Sequence, residues 1–423
     1  MRLRTANAVY RIMDRTGRRR KFCYVSIRAA ALLVLAGGTL ITAIRAQAPP
    51  SQTTAARSTP PPSTAYAGDQ ACASCHDKEA RTYATTPHAT DSSLPTPKTI
   101  LGNFTTGQNV LATANPNLIF AMVAADNGFY ESAANIHNPE HPSGEAARID
   151  LVIGSGRRGQ TYLYWKGDQL FELPVSYWAF THQWINSPGY VDGKVDFLRP
   201  IETRCLECHV TRFDSTPPPD NRYARSSLVL GIGCERCHGP GRLHVERESG
   251  VHPPRAGSTE IAIVNPARLP LDRQLDLCAL CHAGAGEPIA PSLTFQPGDS
   301  LMQFVKITAP PANTPIDVHG NQVGALEASK CFTSGKLSCS TCHNVHQTQE
   351  TADAFSSHCL QCHEVQACGR YRQLGQAIRG HCIDCHMPIG QSQVLTAAAQ
   401  GETFHARMRT HRIAIYPDAA AAQ

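Results

Sequence analysis

The sequence of 423 residues predicts a mainly α-helical and irregular architecture with an inserted β-rich subdomain. Two observations predict it. Seven Cys-x-x-Cys-His pentapeptides begin at Cys72, Cys205, Cys234, Cys278, Cys339, Cys359 and Cys382, and the last three fall together between Cys331 and Met387. Residues 99–200 carry no such motif and show short apolar runs of β type instead.

The pentapeptide is the attachment signature of c-type haem: two thiols form thioethers with the vinyl groups, and the adjacent His ligates the iron. This reading assigns Cys72, Cys75, Cys205, Cys208, Cys234, Cys237, Cys278, Cys281, Cys339, Cys342, Cys359, Cys362, Cys382 and Cys385 to thioethers. It makes His76, His209, His238, His282, His343, His363 and His386 the proximal iron ligands. One such motif is unremarkable by chance, but seven are not. Zinc is the competing metal, yet zinc ribbons pair two Cys-x-x-Cys units without the trailing His, which all seven carry here. Seven covalently bound haems would supply much of the apolar core, which is why little regular structure is expected between the motifs.

The chain then reads in order. Residues 1–48 have a basic stretch, an apolar run from Ala29 to Ile44 and Ala46-Gln47-Ala48, the three parts of a secretory signal peptide, with an uncleaved N-terminal membrane anchor as the alternative. Those residues hold ten Lys/Arg and one acid, which leaves 29 basic against 33 acidic residues in the remainder. The folded part is thus mildly acidic and offers no basic patch for nucleic acid. Residues 49–68 are rich in Pro, Ser and Thr and read as a flexible linker.

Residues 69–98 form the first haem segment, in which His88 follows His76 by twelve residues and is a distal-ligand candidate. Within 99–200 the runs Leu118–Val123, Ile149–Ile153, Thr161–Trp165 and Gln169–Leu173 read as strands. The stretch Gly154-Ser-Gly156-Arg-Arg-Gly159 matches a dinucleotide fingerprint, but a strand-forming sequence follows it where a helix is required, so a hairpin loop is expected. Tyr162, Tyr164, Trp165, Tyr177, Trp178, Phe180 and Trp184 are core, haem-edge or partner-surface residues.

Residues 201–390 read as a six-haem domain. In it His244 follows the Gly239-Pro240-Gly241 bend, His319 follows a Pro- and Gly-rich stretch, and His346 lies three residues beyond His343, on the same face of a helix. Each is a second-ligand candidate. His358 and His381 directly precede motif cysteines, where spacer and ligand are both open. The tail, 391–423, offers His405 and His411, with His411 favoured as a distal ligand. Cys331 and Cys368 bracket the fifth and sixth motifs, so a disulfide between them and a pair of free thiols are both open in an oxidising compartment. Twelve non-motif histidines are enough to give every haem a second His, which would suit electron transfer, although some are surface residues.

The segments AGDQACASCHDKEARTYATTPHA, GCERCHGPGRLHV, KCFTSGKLSCSTCHNVH and HCIDCHMP resemble the periplasmic multihaem cytochromes c, a group that includes tetrahaem carriers of the cytochrome c-554 type. The resemblance covers most of residues 66–415. It implies a multihaem cytochrome c fold with His88, His244, His319, His346 and His411 where distal ligands fall. It implies redox protein partners, among them a membrane quinol dehydrogenase, and a place in the periplasm or on the outer face of the inner membrane. The group also contains nitrite reductases and hydroxylamine oxidoreductases, so an oxidoreductase of small nitrogen or sulfur compounds is the alternative. Against it, no motif ends in Lys and no crosslinking tyrosine is identifiable.

Overall fold

The computed structural model describes residues 57–421 apart from 136–143, 218, 254–259, 285, 308–316, 319, 336 and 349–350. The signal or anchor reading of residues 1–48 and the ligand reading of His319 lie outside the described residues.

The β-rich part is built from two antiparallel sheets. One is a four-stranded meander of β2 (Val110–Ala112), β3 (Leu118–Ala125), β4 (Gly128–Asn135) and β5 (Ala146–Arg148), with β1 (Ser92–Ser93) belonging to the other. That second sheet has seven strands, ordered β1, β6 (Leu151–Ile153), β7 (Gly159–Lys166), β8 (Gln169–Glu172) and β11 (Arg199–Pro200). The pair β9 (Val175–Trp178) and β10 (Gln183–Asn186) joins it through β7.

The strands alternate as a two-sided sheet should. Tyr162 on β7 is fully buried in one core with Phe120, Met122, Ile149, Leu173 and Ile185, while its neighbour Leu163 enters a second core on the other face. The glycine-rich loop 154–158 connects antiparallel β6 and β7, as a hairpin. Gly154 has φ +100°, and a Cβ there would sit 2.6 Å from the Gly159 carbonyl oxygen, so the loop needs its glycine for chain geometry. Of the aromatics, Tyr162, Tyr177, Trp178 and Trp184 are core.

Both cores reach into the motif-bearing chain. Leu206, in the helix α3 (Thr203–His209) that carries the second motif, packs with Leu151, Leu163 and Leu170 under the sheet. On the opposite face lies a C-terminal hairpin, Ile389–Ala399 paired with Glu402–Arg409, through Ala397, Ala399, Ala406 and Met408. The tail is therefore a structural hairpin as well as the bearer of His411. A third core surrounds α6 (Leu271–His282), at 12 residues the longest helix described, with Leu280 against Phe295, Phe304 and Val323.

The second half of the Pro/Ser/Thr-rich segment differs from a free linker. Arg242 donates to the carbonyls of Thr64 (2.8 Å) and Tyr66 (3.0 Å), and Glu235 accepts from the amides of Ala67 (2.7 Å) and Gly68 (2.9 Å). Charged side chains satisfy the exposed backbone that the sequence left unpaired. Among the described residues no helix is long and apolar enough to cross a membrane.

Candidate haem-binding site

Each motif uses one helical turn. Cys at i and i+3 with His at i+4 brings two thiols and an imidazole to one side of the backbone. The turn is visible in the amide of each His bonding back to the first Cys: His76 to Cys72 (2.9 Å), His343 to Cys339 (2.9 Å) and His363 to Cys359 (3.0 Å). The turn ends α3 at His209 and α6 at His282, and by itself makes Cys234–His238 and Cys382–His386.

The motifs are neighbours in space. The thiols of Cys72 and Cys234, of Cys208 and Cys281, of Cys278 and Cys339, and of Cys359 and Cys382 lie close to one another. Cys237 lies in the neighbourhood of Cys278, and Cys342 in that of Cys359. Asp69 and Glu235 lock the first of these contacts, with Asp69 Oδ1 accepting from the Cys234 amide at 2.9 Å and Glu235 Oε1 from the Gly241 amide at 2.7 Å.

The histidines fall into pairs. His76 and His244 have ring centroids 6.4 Å apart, His88 and His282 6.1 Å, His238 and His346 6.1 Å, and His343 and His411 6.0 Å. In each of these pairs one ring belongs to a motif and the other does not. A metal–imidazole bond of about 2 Å and about 1.1 Å from nitrogen to ring centre, taken on both sides, require about 6.2 Å. These four spacings fit an iron held between two imidazoles. Burial pushes His88, His238 and His411 below the usual imidazole range, His411 to about 4 with the charges of His343 and His282 adding to it. They are neutral at neutral pH, as a metal ligand must be. The Nδ1 of His411 is buried without a partner.

The second ring nitrogen of three motif histidines is tied down. His238 Nδ1 bonds the Val264 carbonyl and His386 Nδ1 the Ala414 carbonyl, both at 2.8 Å, while His209 Nδ1 meets Asp91 Oδ2 at 2.8 Å. For His209 burial opposes the charged ring, but the bond to Asp91 outweighs it and raises the imidazole above its ordinary range. His405 Nδ1 similarly bonds the Ser392 carbonyl at 2.7 Å, which leaves Nε2 of that ring to face elsewhere. His381 bonds Asp384 at 3.0 Å and is half exposed, as a spacer would be.

Sequence reading overlooked a buried charge cluster between the second, third and fourth motifs. Arg204 donates to Glu207 Oε2 (2.8 Å) and to the Leu280 carbonyl (2.5 Å), and Arg236 donates to the Glu207 carbonyl (3.0 Å). All four of these positions are variable residues inside or beside motifs, so spacing alone gave no signal. The Arg236 Nε is buried without a hydrogen-bond partner, a donor that a carboxylate of a bound haem would satisfy. Cys331 and Cys368, for which a disulfide and two free thiols are both open, stand as separate thiols here, as do the motif cysteines. Cys331 lies in the neighbourhood of Cys342 and Cys362, and Cys368 in that of Cys382 and Cys385. Among the described residues no group of three or more His, Cys, Asp or Glu is placed to hold a metal ion by itself.

Comparison with known proteins finds the following similarities. The family model for cytochrome c554 and c-prime matches residues 190–239. The C-type polyheme cytochrome OmcC of Geobacter sulfurreducens is 30% identical over 149 residues, which are 34% of this chain and 14% of that protein's length. The crystal structure of the outer cell wall cytochrome OcwA matches over 85% of this chain and 81% of its own, with a TM-score of 0.52 and 18% identity. An undecaheme cytochrome from the S-layer of Carboxydothermus ferrireducens matches over 85% of this chain and 53% of its own, with a TM-score of 0.40 and 15% identity. Fold and motifs together define a protein with several covalently bound haems. The chain is similar to multihaem c-type cytochromes in its motifs and in its fold.

Proposed function

We propose that this chain is an exported seven-haem cytochrome that passes electrons through closely packed, mostly bis-His haems between a membrane or periplasmic donor and a terminal acceptor. The observation that carries the reading is the pairing of a motif His with a non-motif His at 6.0–6.4 Å in four places. When bound, haem supplies a one-electron couple whose potential the axial ligands set. The chain's own contribution is to hold both imidazoles in place. His76, His238, His282 and His343 would bind from the motif side, and His244, His346, His88 and His411 from the other. Filling both axial positions keeps the geometry nearly constant on a change of redox state, which favours transfer over substrate binding. The contacts among motif thiols supply the proximity that transfer requires.

The chain's place outside the cytoplasm rests on the signal-like residues 1–48, and the similarity to OcwA, an outer cell wall cytochrome, accords with it. A membrane quinol dehydrogenase is the proposed donor. The test is expression of the full chain with haem attachment. Intact mass should show seven haem additions, and electron paramagnetic resonance should show low-spin ferric iron. Fewer additions would overturn the count. A large high-spin signal that shifts on adding nitrite or hydroxylamine would instead support an oxidoreductase of small nitrogen compounds.

A further inference from the structure

A metal-bound imidazole usually donates its other nitrogen to a fixed acceptor, and the nature of that acceptor changes how strongly the ring gives electrons to the metal. His238 and His386 each use a neutral backbone carbonyl. His209 uses the carboxylate of Asp91. From this difference we propose that Asp91 is a positioning residue that makes His209 the most electron-rich of these three proximal ligands and sets the haem at Cys205–His209 lowest in potential among the three. The inference rests on the multihaem reading above.

The local structure is built to hold this contact. The backbone on both sides of Asp91 is pinned, because the His88 carbonyl accepts from the Ile232 amide at 2.9 Å and the Asp91 carbonyl from the Gly154 amide at 2.6 Å. The next residue, Ser92, donates to the His209 carbonyl and accepts from the Gly231 amide, both at 2.8 Å. One strap of five residues therefore grips His209 by its ring and its backbone. A charge-assisted hydrogen bond is about twice as strong as a neutral one. It draws the Nδ1 proton toward the carboxylate, raises the basicity of Nε2 and favours ferric over ferrous iron. The same strap carries His88, which faces His282 at 6.1 Å, so it spans the second and fourth motifs.

The experiment is a spectropotentiometric titration of the full haem-loaded chain against Asp91→Asn and Asp91→Glu. Haem number is first checked by intact mass, which tests the multihaem reading separately. Asp91→Asn is expected to shift one low-potential component upward and leave the others in place, and Asp91→Glu to retain the wild-type profile. Should Asp91→Asn lose haem, the wild-type resonance spectrum decides: one low-spin signal with the compressed g-spread of a strong-donor imidazole supports the proposal, and its absence overturns it. An Asp91→Asn protein that keeps all its haems and titrates like wild type also overturns it.

Discussion

Replacing Glu172 by Gln should remove a pH-dependent penalty from the folded state. Glu172 ends β8 with its side chain largely inside, and Arg199 lies 3.2 Å from Oε2. Burial outweighs the attraction of that guanidinium and pushes the carboxyl from 4.5 up to about 7. A raised carboxyl binds its proton more tightly in the folded than in the unfolded chain. The stability it confers is full below about pH 4.5 and is lost as pH rises through about 7. At about 1.36 kcal/mol per unit, the shift corresponds to roughly 3 kcal/mol overall, of which about 2.5 kcal/mol falls between about pH 5 and pH 8. Glutamine keeps an acceptor for Arg199 and has no proton to lose. Guanidinium unfolding of the haem-loaded wild type and of Glu172→Gln, run at both pH values, should therefore show the difference in stability between them growing by about 2.5 kcal/mol toward the higher pH. If the two unfolding curves move in parallel across this range, the carboxyl is not protonated in the fold and the reasoning fails.

Three further outcomes are expected. His411→Ala should convert one haem from low to high spin, read by magnetic resonance, while the mass still shows every haem attached; an unchanged spectrum would remove His411 as the partner of His343. Trp184→Ala should cost about 3–5 kcal/mol in chemical unfolding, because the ring is 6% exposed and its Nε1 donates to the carbonyls of Asn103 and Gln108. The chain expressed without haem attachment should be cut rapidly by protease between the motifs, since its helices there run to twelve residues or fewer and are too short to persist alone; a resistant haem-free chain would contradict a haem-built core.

Much of the chemistry was legible because it is written in local spacing. A turn that places Cys72, Cys75 and His76 together needs only five consecutive residues, and strands such as Gly159–Lys166 announce themselves by alternation and by the glycines that flank them. What sequence could not show is long-range partnership. His88 follows the first motif yet faces His282 of the fourth, and His244 follows the third yet faces His76 of the first. Nothing local marks Asp91 as the partner of a residue 118 positions away. The C-terminal hairpin was similarly faint, because Ala397, Ala399 and Ala406 bury themselves on the β-core through small side chains that give a weak apolar signal.

The proximities among motif thiols have the shape of a tree. The fourth motif lies near the second through Cys281, the third through Cys278 and the fifth also through Cys278, while the first lies near the third, and the sixth and seventh follow the fifth. Such an array has three free ends and one crossroads. On the proposed seven-haem reading, charge delivered to any tip would have two destinations, and the loss of a terminal motif would shorten one limb without stopping traffic between the other two. Loss of Cys278–His282 would instead leave three islands: the first with the third, the second alone, and the fifth to seventh together.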